Sequence, residues 1–157
     1  MEKQIISIEV EDKPGVLARI ATLFSRRGYN IESLTVANTH QPDISHFTIV
    51  STGDEAILEQ IRKQCQKLVH VIKVDQIDPE KSVLREFSIL KLKLTKDNAK
   101  EIWHIIDFHG LRLMHSADDF VIVEISGSEE KVNAMKQMIK PENVLAFIRT
   151  GKMALSF

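Results

Sequence analysis

Residues 26–37, Arg26-Arg27-Gly28-Tyr29-Asn30-Ile31-Glu32-Ser33-Leu34-Thr35-Val36-Ala37, read as a helix that stops at a glycine and returns as a strand at an asparagine. Upstream, Val16, Leu17, Ile20, Ala21 and Phe24 recur at helical spacing, and Gly28 ends that helix. Earlier still, Ile6, Ile8 and Val10 alternate as a strand should. Asp12-Lys13-Pro14-Gly15-Val16-Leu17 then closes the strand, makes a tight turn and opens the helix. Strand, helix and strand in this order, with a polar turn at Thr39-His40-Gln41-Pro42-Asp43, set the start of an α+β unit.

The unit completes itself downstream. A third strand surrounds Phe47 and Ile49. Asp54 is placed to cap a helix whose buried face is Ile57, Leu58, Ile61, Cys65 and Leu68. Val69, Val71, Ile72 and Val74 supply a fourth strand. Asp78-Pro79-Glu80-Lys81-Ser82 is a polar break, so the sequence divides into residues 1–78, a linker at 79–82 and a second domain at 83–157. The second half repeats the order. Phe87, Ile89, Leu90, Leu92 and Leu94 form a strand, and 97–109 a helix with Ile102, Trp103 and Ile106 inward. Residues 111–115 and 120–125 form a hairpin, and 128–140 a helix with Val132, Met135 and Met138 inside. Residues 144–148 form a last strand. The expectation is α+β: two tandem ferredoxin-like βαββαβ units. Small sheets leave open edges, and pairing them with a second copy predicts a homodimer.

Composition excludes several classes. The chain has 157 residues, 21 Lys and Arg against 22 Asp and Glu, and so no basic stripe to attract nucleic acid. No apolar run is long enough to span a bilayer, and the first residues enter a strand without a signal-peptide pattern, which points to a bacterial cytoplasm or a stroma-like compartment. The single cysteine, Cys65, rules out an internal disulfide and a thiolate metal cluster. His104 and His109 are five apart and poorly aligned on one helix face, so no metal site is expected. Arg26-Arg27 reads as a solvated helix end, and Trp103 as a core residue. No nucleophile, acid–base pair or other catalytic constellation stands out, so catalytic residues are not expected.

The Asp12–Leu17 stretch suits a small zwitterion instead. The first turn of a helix offers unpaired N–H groups and the positive end of the dipole to a carboxylate, and Gly15, Val16 and Leu17 occupy that turn. Gly15 lets a ligand approach the backbone, and Asp12 is placed to accept from an ammonium. A Pro-Gly pair by itself is also an ordinary strand-to-helix turn, and Asn30 by itself an ordinary helix exit.

Asp-x-Pro-Gly-Val-Leu at the end of a first strand resembles the signature of ACT domains, small amino-acid-sensing modules. The run Leu23 to Ala37 narrows this to a resemblance to the regulatory (small) subunit of acetolactate synthase, also called acetohydroxyacid synthase. Gly53-Asp54, Leu58 to Gln64 and Lys67 to Val71 continue it. Arg85-Glu86 and Ala146-Phe147-Ile148-Arg149-Thr150-Gly151 extend it more thinly over the second half. The family pattern has asparagine where this chain has Asp12. The resemblance implies a non-catalytic partner of a catalytic (large) subunit carrying thiamine diphosphate, Mg2+ and FAD, with no cofactor in this chain. That partner would be activated by this chain and made sensitive to feedback by a branched-chain amino acid, valine above all. It also implies that the second wall of the effector site, Asn30 and Ile31, comes from a neighbouring protomer. Leu17 and Ile31 would then enclose an aliphatic side chain. The alternative class is a stand-alone amino-acid sensor acting on a transporter or a transcription factor.

Overall fold

The computed structural model describes residues 2–157, with the side chains of Glu2 and Ile57 outside the described set. The first four strands are β1 (Glu2–Glu11), β2 (Ile31–Asn38), β3 (Ile44–Gly53) and β4 (Val71–Gln76), with α1 (Val16–Arg26) and α2 (Glu55–Cys65) between them. They form one sheet in the order β2-β3-β1-β4, and every pairing in it is antiparallel. Alternation puts Ile6, Ile8 and Val10 of β1 on the helix side, where they meet Val16, Ile20 and Phe24 of α1 and Leu58, Ile61 and Cys65 of α2. Asp54 caps α2 as its sequence position suggests, its Oδ1 accepting from the Ala56 N–H at 2.8 Å. Burial pushes the Cys65 thiol from an ordinary 9.0 up to about 11, so it behaves as a core residue rather than a nucleophile.

The second half holds β5 (Ser82–Lys93), α3 (Ala99–Phe108), β6 (Arg112–Ser116), β7 (Phe120–Gly127), α4 (Glu129–Met138) and β8 (Val144–Ser156), with the sheet order β6-β7-β5-β8. Leu90, Leu92, Val121, Val123 and Ile125 pack there against Ile102, Ile106, Val132 and Met135. Both halves are therefore βαββαβ, as the order of periodicities predicts. Two stretches quoted above for their family resemblance also meet. Arg149 pairs with the nearly fully buried Glu86 and donates to Asn133 Oδ1 at 3.2 Å, while Thr150 Oγ1 bonds the backbone of Phe87. A buried carboxylate needs such a partner.

Four local expectations are corrected. Leu17 is 43% exposed, because α1 turns only Val16, Ile20 and Phe24 fully inward. Val69 is exposed and precedes β4 in a turn where His70 takes φ 75°, and Ile72 points outward. Met138 is exposed because the chain leaves α4 at Ile139, which takes the buried position instead. The last strand does not stop at residue 148 but runs to Ser156. The strand continues through the polar Arg149-Thr150-Gly151-Lys152 run, where no apolar alternation marks a strand.

That extension bears on the domain division. The compact units are residues 1–84 with 151–157, and residues 85–150. The last seven residues group with the first unit. Within the first unit, Leu84 and Ala154 cover Ile5, Val50 and Ile77 on the sheet face away from the helices. Ser82 and Ser156 bond through their hydroxyls at 3.0 Å, and the Phe157 N–H donates to the Lys81 carbonyl.

Candidate effector-binding site

The turn from β1 to α1 is held from behind. Asp12 donates its N–H to the Asp43 carbonyl at 2.7 Å, and Lys13 donates to the Glu11 carbonyl at 2.8 Å. Asp43 itself takes φ 61°, so the β2–β3 turn is bent to present that carbonyl. Gly15 is the N-cap of α1 at φ 86°, a left-handed conformation that favours glycine, and nothing lies within 4 Å of where a Cβ would stand. The α1 cap has no side-chain hydrogen bond. Val16 gives its N–H to the Lys13 carbonyl at 3.4 Å and its side chain to the core. Among the described residues, no acceptor faces the N–H groups of Gly15, Leu17 and Ala18. Ala18 is a donor that residue types alone gave no reason to single out. The arrangement is an open set of amides with the Asp12 carboxylate on the same turn and the exposed Leu17 beside it.

Asn30 and Ile31 lie elsewhere. Arg27, Gly28 and Tyr29 close the end of α1 through bonds to the Phe24 and Ser25 carbonyls, and the Asn30 carbonyl accepts from Ser51 Oγ at 2.9 Å. Asn30 is exposed on the rim of an open cleft lined also by Arg27, Tyr29, Thr52 and Asp54. The Tyr29 ring fills the space over Gly53, where a Cβ would stand 2.0 Å from Cε1. The register fixes the distance between the two halves. Asp12 is tied to Asp43 before β3 begins, while Ile31 pairs with Ser51 near its end. Eight residues of extended chain rise about 25 Å, and the two groups also sit at opposite ends of α1. One chain therefore places Asp12, Gly15, Val16 and Leu17 together, and Asn30 and Ile31 together, but not the two sets with each other.

The comparisons with known proteins cover both halves. A family model described as the ACT domain of acetohydroxyacid synthase small subunits matches residues 6–73, and one described as the small subunit of acetolactate synthase matches residues 85–157. The chain belongs to the acetolactate synthase small-subunit family. A probable small subunit from Archaeoglobus fulgidus is 41% identical across 98% of this chain and 96% of its own length. The small subunit from Aquifex aeolicus is 36% identical across 99% of this chain and 81% of its own. The crystal structure of the Thermotoga maritima small subunit superposes with a TM-score of 0.93 at 34% identity, covering 100% of this chain and 98% of that one. Family membership thus rests on both βαββαβ units, including the second, where the sequence resemblance was thin.

Proposed function

We propose that this chain is the regulatory subunit of a cytoplasmic acetolactate synthase, binding and activating the catalytic subunit and making it sensitive to valine. The observation that carries this reading is the separation of the two half-sites along an edge strand. β2 is at the edge of its sheet, with Asn30 preceding its first residue and Asn38, next to the Asp12 turn, at its other end. Two copies joined antiparallel along β2 by a two-fold axis bring the Asn30 end of each to the Asp12–Leu17 end of the other. The exposed Leu17 and Val36 are apolar surface that such a seam would cover.

In that seam each residue has a task. The amides of Gly15, Leu17 and Ala18 receive the effector's carboxylate, aided by the helix dipole. Asp12 accepts from the ammonium, Asn30 both donates and accepts, and Leu17 and Ile31 flank the aliphatic side chain. Charge-assisted bonds of about 1.5–3 kcal/mol each and an aliphatic group of similar worth, less several kcal/mol for association, leave micromolar to millimolar affinity. That range suits the sensing of a metabolite pool. The catalytic chain, not this one, would hold thiamine diphosphate, Mg2+ and FAD. Among the described residues no three His, Cys, Asp or Glu side chains group to hold a metal, and no helix is long and apolar enough to cross a membrane.

Reconstitution tests the reading. The tagged chain should retain a large thiamine-dependent enzyme from its own cytosol, raise its acetolactate production and make it valine-sensitive. Light scattering should give the mass of a dimer. Capture of a transporter or transcription factor in place of that enzyme would favour the stand-alone sensor. A monomer that valine leaves unchanged would remove the seam on which the site depends.

A further inference from the structure

The family match to the sensing domain ends at residue 73, yet the compact unit holding the candidate site also contains Gly151–Phe157. Gly151 lies in β8 at φ 84°, and a Cβ there would stand 2.8 Å from Ser33 Cβ and 3.4 Å from Thr35 Oγ1. The backbone of β8 therefore rests directly on β2, at a separation and a conformation that together require glycine. Three residues on, Ala154 is anchored among Ile5, Val50, Ile77 and Leu84. The contact falls at a particular place. The pairing of β2 with β3 shifts register between Ile31 and Ser33, and such irregularities turn the side chains beside them. Ile31 and Asn30 are those neighbours.

We propose that Gly151 is a positioning residue for the effector-binding strand: the β8 arm 151–156 holds the irregular stretch of β2 and so aims Asn30 and Ile31. This rests on the reading of those residues as half of the effector site. It makes the C-terminal strand part of the sensing unit. Coupling is reciprocal, so an effector that shifts Asn30 and Ile31 also shifts the surface on which Gly151 rests. β8 continues through Thr150 to Arg149, which gives that shift a covalent route into residues 85–150.

The test uses the full chain and two readouts, calorimetric titration with valine and amide hydrogen exchange of residues 31–36 without ligand. Gly151→Ala adds the clashing Cβ, and Ser33→Val presses on the same contact from β2 without straining its backbone. Each should weaken valine binding about tenfold, within the usual range of coupling between sites, and speed exchange in β2. Ser33→Gly introduced into Gly151→Ala should recover most of the affinity. Gly110→Ala imposes a similar left-handed strain at φ 59° with nothing within 4 Å, and should leave both readouts unchanged. Native affinity and native exchange in both Gly151→Ala and Ser33→Val would overturn the proposal. If the native chain binds no branched-chain amino acid, the proposed function fails, and exchange in β2 alone then decides whether Gly151 positions that strand.

Discussion

The two strand-to-helix turns of this chain occupy equivalent places in the same topology and use their polar groups in opposite ways. At the second, Asn98 is 8% exposed, its Oδ1 accepts from the Thr95 N–H at 2.7 Å, and its Nδ2 donates to the Lys93 carbonyl and to Asn143 Oδ1. The Ala99 N–H also reaches the Thr95 carbonyl at 3.0 Å. That turn is tied together by its buried asparagine, although the Asn98 side chain does not cap α3 itself. At the first, Gly15 brings no side chain, Asp12 is exposed, and the amides of Gly15, Leu17 and Ala18 face outward. A helix start left open in this way gives up a capping interaction of about 1 kcal/mol, which a bound carboxylate restores. The fold alone does not make a ligand site; both helix starts leave first-turn amides uncapped, and what differs is access, with an exposed glycine and nothing within 4 Å of its Cβ position at the first and a buried asparagine at the second.

Gly15→Asp is the sharpest way to break that contrast. It places a carboxylate where the effector's own must sit, so affinity for valine should fall at least about a hundredfold, roughly 2.7 kcal/mol. The cost to the fold is small but not zero. The left-handed φ of 86° is unfavourable for a residue with a Cβ by about 1–2 kcal/mol, and the helix dipole returns part of this. Reconstituted with its catalytic subunit, the variant should stimulate normally and ignore valine, as read by acetolactate formation. Unchanged inhibition would remove Gly15 from the site. Loss of stimulation in a folded variant would mean that sensing and activation share one surface.

Asn98→Leu attacks the second turn instead. It removes three hydrogen bonds from a buried position, and chemical denaturation should show a loss of about 2–3 kcal/mol. Valine affinity should not change, since that turn contributes nothing to the proposed site. A thermally silent Asn98→Leu would mean that the second turn is not held by its asparagine, and the contrast would collapse.

The smallest effect concerns the core under the open turn. With its pKa raised by burial from 9.0 to about 11, Cys65 binds its proton more tightly folded than unfolded. Its contribution to stability is therefore complete below about pH 9 and declines as pH rises towards about 11. Cys65→Ala should flatten that part of the stability–pH curve, and the native thiol should react with a disulfide reagent only on unfolding. Rapid labelling at neutral pH would contradict the buried placement.

Much of this molecule is written locally. The period-two run Ile6-Ile8-Val10, the helical spacing of Val16, Ile20 and Phe24, and the caps at Asp54 and Gly28 specify βαββαβ from interactions within a few residues, and so does the repeat in the second half. The sequence likewise singled out Asp12, Gly15 and Leu17 as one group, because backbone geometry at a Pro-Gly helix start is itself local. It could not say that Asn30 lies about 25 Å away, since that distance depends on the register of β2 against β3. Nor could it extend β8 beyond residue 148. Arg149, Thr150 and Gly151 lack the apolar alternation of a strand, and are held in one by Glu86, by Phe87 and by the close approach to Ser33. Those partners are remote in the chain, and only tertiary packing brings them within reach.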